Sequence, residues 1–381
     1  MRTVTFPVYL KITIVIFLLC LLGFILNIGQ DIILPLAFSL LLSILLLPVA
    51  SFLERKKLPR VLAIAIALLT GIAVIAGVLY FITTQIVSFT ADIASIKSNL
   101  AVHFQNVQNW VNKSFNITQT EQNQFISKAG EKLKETGTSV AGQTFSSLSQ
   151  LFSYLVLIPI YSFLLLYYRD LLKNFIVKLC TDQHKERVDE IMHHSKLVIQ
   201  SYMTGLLIEL FIVAAINSAG FLIIGIKYAI FIGLFAAIMN LIPYIGMLIA
   251  AVFCMLITLT NSQSMGDVIW VGAVLTAVQF IDNNIIMPNI VSSKVKINAL
   301  VSILGVLAGG ALAGISGMFL SIPFIAISKV IFDRVDSLKP WGMLLSDTIT
   351  GAKVSKLRLK ILKQQEKDEV KEEEKEASID K

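Results

Sequence analysis

The sequence predicts an all-α polytopic membrane protein, and three observations carry that prediction. Of the 381 residues, 56% are hydrophobic and only 15% are charged, where a soluble domain carries about a quarter charged residues. Several runs reach the roughly 20 apolar residues that cross a bilayer. The lysines and arginines cluster beside those runs and not within them, as the positive-inside rule expects. Lipid offers no hydrogen-bond partners, so the runs must be helices. The alternating segments of about ten residues that build outer-membrane barrels are absent. The formal net charge of +7 therefore reads as membrane-flanking charge and not as a nucleic-acid surface.

Four spans come first, at Val8–Ile28, Ile32–Phe52, Val61–Ile82 and Leu148–Tyr168. The first has Arg2 ahead of it and Lys11 in its first turn but no small-residue cleavage site, so it reads as a retained helix and not a leader. The turn after it carries no Lys or Arg, whereas the next holds Arg55, Lys56, Lys57 and Arg60, and the fourth span ends at Arg169. The basic turns and both termini are expected on the cytoplasmic side. Residues 1–82 thus hold three spans and residues 148–170 the fourth.

Residues 83–147 then form an extracytoplasmic insertion too long for a bare loop. Ile93, Ile96, Leu100, Phe104, Val107 and Val111 recur at helical spacing, so the third span is expected to run outward as an amphipathic helix. Thr118 to Glu121 fits a capping box for a return helix through Phe125, Ala129 and Leu133. Residues 171–200 read as a cytoplasmic amphipathic helix over Leu171–Leu197. His193 and His194 are adjacent, so they cannot share a helix face as metal ligands. Cys20, Cys180 and Cys254 show no paired spacing, which argues against a disulfide framework or a zinc site.

Residues 201–335 are the candidate transport core. A fifth span, Ser201 to Ile226, is followed by an apolar stretch, Tyr228–Leu259, that is long for one span and short for two. Asn240-Leu241-Ile242-Pro243-Tyr244-Ile245-Gly246 interrupts it. A sixth span, about Val268 to Ile290, ends at Lys294 and Lys296. The final stretch, Ala299–Ile331, is broken near Gly309-Gly310 and Gly314-Ile315-Ser316-Gly317 and is flanked by basic residues at both ends. Apart from Lys227, one dissenting cation at the outer end of the first stretch, the charges require each long stretch to return to the side it entered. Each is a helical hairpin, at 228–260 and 299–331, or a pair of thin spans. Either reading leaves about six full spans and two broken stretches, and a span-plus-hairpin pattern repeated in opposite orientation, which is an organising principle of secondary transporters. Residues 336–381 form a charged tail whose basic run from Lys353 suits anionic head groups.

Ionisable residues inside a membrane are costly and mark function. Glu209 lies within the fifth span, and Asp282 lies with Gln279, Asn283 and Asn284 near the basic end of the sixth. Asn217 and Asn240 are further polar candidates. By depth, Glu209 and the Gln279–Asn284 cluster can meet. A carboxylate there can carry a proton or, with amide oxygens, hold a cation; the plainer reading places Asp282 at the interface, capping a helix. Pro243 and Gly246 free backbone groups at the hairpin break. Gly309, Gly310, Gly314 and Gly317 suit close helix packing, with gating as the sharper alternative. No phosphate loop, nucleophile triad or HExxH-like metal motif occurs, so neither an enzyme, a cofactor, a metal site nor an ATP-driven pump is expected.

Leu241 to Gly246, then Gln279-Phe280-Ile281-Asp282-Asn283-Asn284-Ile285-Ile286-Met287-Pro288, then Ile303 to Pro323 with its glycines, occur in an order and spacing that resembles the AI-2E family of bacterial transporters. That family includes exporters of the quorum-sensing signal autoinducer-2. The resemblance covers about Leu10 to Arg334. One departure is visible: the family commonly has His-Pro before its last hydrophobic stretch, and this chain has Asn298-Ala299. The resemblance implies a homo-oligomeric, pentameric secondary transporter of the cell membrane and leaves its substrate open, since sodium–proton antiport is also linked to its members. The readings carried forward are proton-driven export of a small polar solute, cation–proton antiport, and a non-transporting membrane scaffold.

Overall fold

The computed structural model describes residues 7–115, 153–180, 184–243, 245–292 and 297–347. The capping box at Thr118, the return helix through Leu133 and the basic run from Lys353 lie outside the described residues. Within them the chain is helical throughout, and the one strand-like contact is an isolated bridge between Ile297 and Ser346. Five helices are long and apolar enough to cross a membrane, or six if one bent pair counts as a span. This is an all-α polytopic membrane protein.

Helix α1 (Val8–Ile28) and α2 (Gln30–Arg55) are joined through Gly29 alone. After the basic turn, α3 (Arg60–Ala91) runs for 32 residues, about 48 Å, against the roughly 30 Å of a hydrocarbon core. The helical continuation expected beyond Ile82 is therefore present. A break at Asp92 separates α3 from α4 (Ile93–Phe115). Of the apolar residues expected to line α4, Ile96 is half-buried. Leu100 is exposed, and the polar Asn99 and His103 are buried.

Helix α5 (Ser153–Tyr167) meets α6 (Arg169–Leu179) at a bend of 67°. The elbow is fixed at the basic end of the molecule. Arg169 pairs with Glu54 of α2 at 2.6 Å, and Arg60 of α3 bridges Asp170 and the Leu166 carbonyl. Above it, Leu46, Ala50, Ile64, Ala67 and Leu166 form a core between α2, α3 and α5.

The membrane-face helix expected over Leu171–Leu197 is two pieces. Its first part is α6, and its second belongs to α7 (Lys185–Ile224), a single 40-residue helix about 60 Å long. No proline or glycine lies between Lys185 and Tyr202, so nothing stops the helix before the span begins. Helix α7 is the axis of the molecule, with α2, α8, α10 and α11 all packed against it. It ends at Gly225 in the left-handed conformation (φ 82°). Gly225 N–H bonds the Leu222 carbonyl and Ile226 N–H bonds the Phe221 carbonyl, which is a Schellman stop.

The stretch after it is a hairpin. Helix α8 (Ala229–Asn240) has 12 residues and rises about 18 Å, too short to span. Helix α9 (Ile245–Asn261) returns beside it. A Cβ on Gly246 would stand 1.7 Å from the Met239 carbonyl oxygen, so the tip closes backbone on backbone. Helix α10 (Met265–Ile281) continues through two π-helical turns, Asp282–Ile286 and Pro288–Ser292. Such turns widen the ladder where a helix is interrupted, as Pro288 does by removing a donor.

Helix α11 (Ala299–Arg334) also folds back. Ala313 and Gly314 leave helical geometry, with Gly314 at φ 56°, ψ −141°. The break thus falls at Gly314, between arms 299–312 and 315–334. Gly309 and Gly317 face each other so closely that a Cβ on either would enter the other's carbonyl oxygen. A one-turn 3-10 segment then leads into α12 (Lys339–Leu345). Asn298, at the departure from the His-Pro pattern, has a local role. Its Oδ1 accepts from Val301 N–H to cap α11, and its amide donates to the Leu344 carbonyl.

Candidate functional site

Three of the predicted polar residues meet at the tip of the first hairpin. Glu209 lies on α7, Asn240 is the last residue of α8, and Asp282 opens the π turn after α10. Asn240 Nδ2 donates to Asp282 Oδ2 at 2.9 Å and to Glu209 Oε1 at 3.2 Å. Glu209 is 5% exposed and Asp282 1%, so both carboxylates are enclosed by protein. Each position follows from local sequence. Pro243, unable to continue the helix, ends α8 just past Asn240. Asp282 closes the last α turn of α10, its N–H bonding the Val278 carbonyl, and the π turn begins beyond it.

The remaining hydrogen-bond capacity is the informative part. Glu209 Oε2, Asp282 Oδ1 and Asn217 Oδ1 are buried without a partner. All three are acceptors. A buried acceptor left unpaired costs about 1–3 kcal/mol, and more when charged. Two buried carboxylates around one neutral amide leave acceptor capacity that a proton, a cation or a buried water can fill.

Asn217, Asn240 and Gln279 also line a small cavity with Val213, Met247 and Ala250. Gln279 donates to Asn283 Oδ1 at 3.1 Å, and Asn284 donates to the Phe280 carbonyl. Asn283 and Asn284 are exposed on the helix surface, so those two predicted residues do not join the cluster. Gly309, Gly310, Gly314 and Gly317 stand apart as well. Gly309, Gly310 and Gly317 pack the second hairpin and Gly314 turns it; its neighbours are Gly23 of α1 at Leu312, Phe38 of α2 at Phe319, and Tyr202 and Leu206 of α7. Among the described residues no group of three His, Cys, Asp or Glu side chains is placed to hold a metal.

Sequence reasoning missed a polar contact set at the other end of the hairpin. Asp92 accepts from Lys227 and from the Tyr228 hydroxyl, the latter at 2.5 Å. Asn99 Nδ2 donates to the Thr260 carbonyl at 3.0 Å, and His103 Nε2 to the Ser262 carbonyl at 2.7 Å. The signal was present. Lys227 was a lone cation at the wrong end of a span, and Asn99 and His103 are one turn apart.

The profile described as AI-2E family transporter matches residues 12–337. The chain belongs to that family. The match spans both hairpins and every residue of the polar cluster. "Putative transport protein YrrI" of Bacillus subtilis (strain 168) is 28% identical over 307 residues, 79% of this chain and 86% of that one. "Putative transport protein YueF" of the same organism is 24% identical over 78% of this chain and 82% of its own. "Putative permease PerM" of Escherichia coli (strain K12) is 28% identical over 199 residues, 51% of this chain and 56% of its own. The AI-2E assignment thus makes this a multi-pass membrane protein of a transporter family.

Proposed function

We propose that this AI-2E family member is a secondary transporter of the cell membrane that exports a small polar solute, with autoinducer-2 as a candidate, driven by the proton gradient. The observation that carries the reading is the single amide of Asn240, at the tip of a broken hairpin, joining two buried carboxylates on two other helices. Loading or unloading one proton on Glu209 or Asp282 changes what Asn240 can bind. It thereby ties the hairpin tip to the proton gradient. We place the basic turns, and the end of the molecule where Arg60 and Arg169 lie, on the cytoplasmic side.

The test is solute efflux from proteoliposomes under an imposed pH gradient. The expected result is gradient-dependent efflux that Asp282→Asn uncouples. Efflux indifferent both to the gradient and to that substitution sinks the coupling claim.

A second reading, cation–proton antiport, is favoured by a different observation: the three unpartnered oxygens of Glu209, Asp282 and Asn217. A sodium pulse then moves protons across vesicles holding the protein. A null response, with efflux intact, rejects it.

A further inference from the structure

The far end of the first hairpin is held by residues that the transport reading does not use. Its entry is strained. Tyr228, the residue before α8, sits at φ 66°, a conformation that bulky side chains adopt only when their surroundings impose it. The surroundings are identifiable. The Tyr228 hydroxyl and the Lys227 ammonium both bond Asp92, and the Tyr228 ring lies edge-on to Phe89 at 6.1 Å. Lys227 first and Tyr228 next hold the Asp92 carboxyl below the usual carboxylate range, and Asp92 in turn raises Lys227. The pair is therefore charged across the neutral range.

The hairpin's exit is held independently. Helix α9 ends at Asn261, and the last carbonyls of a helix lack partners within it. Asn99 and His103 supply them, at Thr260 and Ser262. Both side chains are nearly fully buried, at 6% and 3% exposure, so neither is a chance surface contact. A carbonyl only accepts, so His103 Nε2 carries the hydrogen.

We infer that the Asp92 joint and helix α4 form a two-point clamp on the α8–α9 hairpin. Asp92, Asn99 and His103 are positioning residues for the cluster at its tip. Helix α8 has only 12 residues, so a tilt at its Tyr228 end is delivered to Asn240. While both points hold, Asn240 stays between Glu209 and Asp282. Release at either point frees the hairpin to tilt about the other. The inference rests on the hairpin being the element that moves during transport.

The experiment is hydrogen exchange of the purified full-length protein, read by peptide without any solute. In Asp92→Ala combined with His103→Ala, exchange across residues 229–243 accelerates about tenfold or more, while that of α2 is unchanged. His103→Gln keeps an N–H within reach of the Ser262 carbonyl and retains slow hairpin exchange, unlike His103→Ala. The clamp is refuted if hairpin exchange in the double variant stays within about twofold of the parent, or if Gln loosens the hairpin as much as Ala. Where the double variant unfolds throughout, the Gln and Ala singles decide by the same criterion. Exchange is measured without transport, so the clamp can fail while Glu209 and Asp282 still couple efflux, and the reverse.

Discussion

Asn240 gives two hydrogen bonds from one nitrogen, both to buried carboxylates, and its replacement by Ala leaves those acids with no recorded donor. A hydrogen bond to a charged group contributes about 1.5–3 kcal/mol. Asn240→Ala is expected to lower unfolding stability in detergent by that order, and Glu209→Gln in the same background to recover part of it. A double-mutant cycle read by thermal unfolding checks both. Gly246 gives a steric test. A methyl there meets the Met239 carbonyl, whereas Gly77 has nothing within 4 Å. Gly246→Ala is expected to cost about 1–3 kcal/mol through backbone displacement, and Gly77→Ala to be neutral or slightly stabilising through helix propensity. Unfolding midpoints of the two variants, measured together, separate packing from propensity. At this scale the sequence was partly legible. The depth of Glu209 and Asp282 in the fifth and sixth spans already allowed a meeting. That Asn240 is the group between them follows from where α8 stops, and Asn283 and Asn284 turn to the exposed side of their helix; hydropathy encodes neither.

The broken stretches were legible as breaks, because Pro243 and the glycines interrupt runs that are otherwise uniformly apolar. Their partners were not. Glycine spacing shows that backbones approach, but only the folded chain shows that Gly309 meets Gly317 of its own hairpin. The second hairpin turns on Gly314, at φ 56°, ψ −141°, a region closed to side chains at a cost of about 1–3 kcal/mol. Gly314→Ala is expected to destabilise the hairpin by that amount without creating a clash, since nothing lies within 4 Å of the site. Faster proteolysis or hydrogen exchange confined to 299–334 is the expected result. A uniform effect along the chain contradicts it. The separation expected between the Leu171–Leu197 helix and the fifth span failed for the converse reason. A charged amphipathic segment and an apolar span differ in environment, yet no residue between them stops a helix.

Across the whole molecule, the basic end is tied together by ion pairs. Arg187 of α7 and Lys339 of α12 both reach Asp336, at 2.9 and 2.7 Å, and Lys173 of α6 reaches Asp189 of α7 at 2.6 Å. Lys339 foremost, then Arg187, pull the Asp336 carboxyl down to about 2. Because the folded value lies below the usual 3.8, the contribution is fully present above that value and is lost as pH falls toward 2. The stability difference between the parent and Asp336→Asn is therefore expected to be constant from about pH 5 to 8 and to shrink only below about pH 4. Thermal unfolding across that range checks it. Charge placement made this end legible as one side of a membrane, but not the pairing, since long-range partners such as Arg187 and Asp336 share no spacing rule.

Helix α7 joins these regions as one continuous rod. Its first turns hold the ion pair to Asp336, its middle carries Glu209, and its Schellman stop leads directly into the strained entry of the hairpin. A helix lacking proline transmits axial slide and tilt better than it bends, because bending strains its hydrogen-bond ladder. Anything that pulls on the first turns of α7 therefore acts as a hand on a lever, with the carboxylate pair near the fulcrum and the mouth of the hairpin at the far end of the beam.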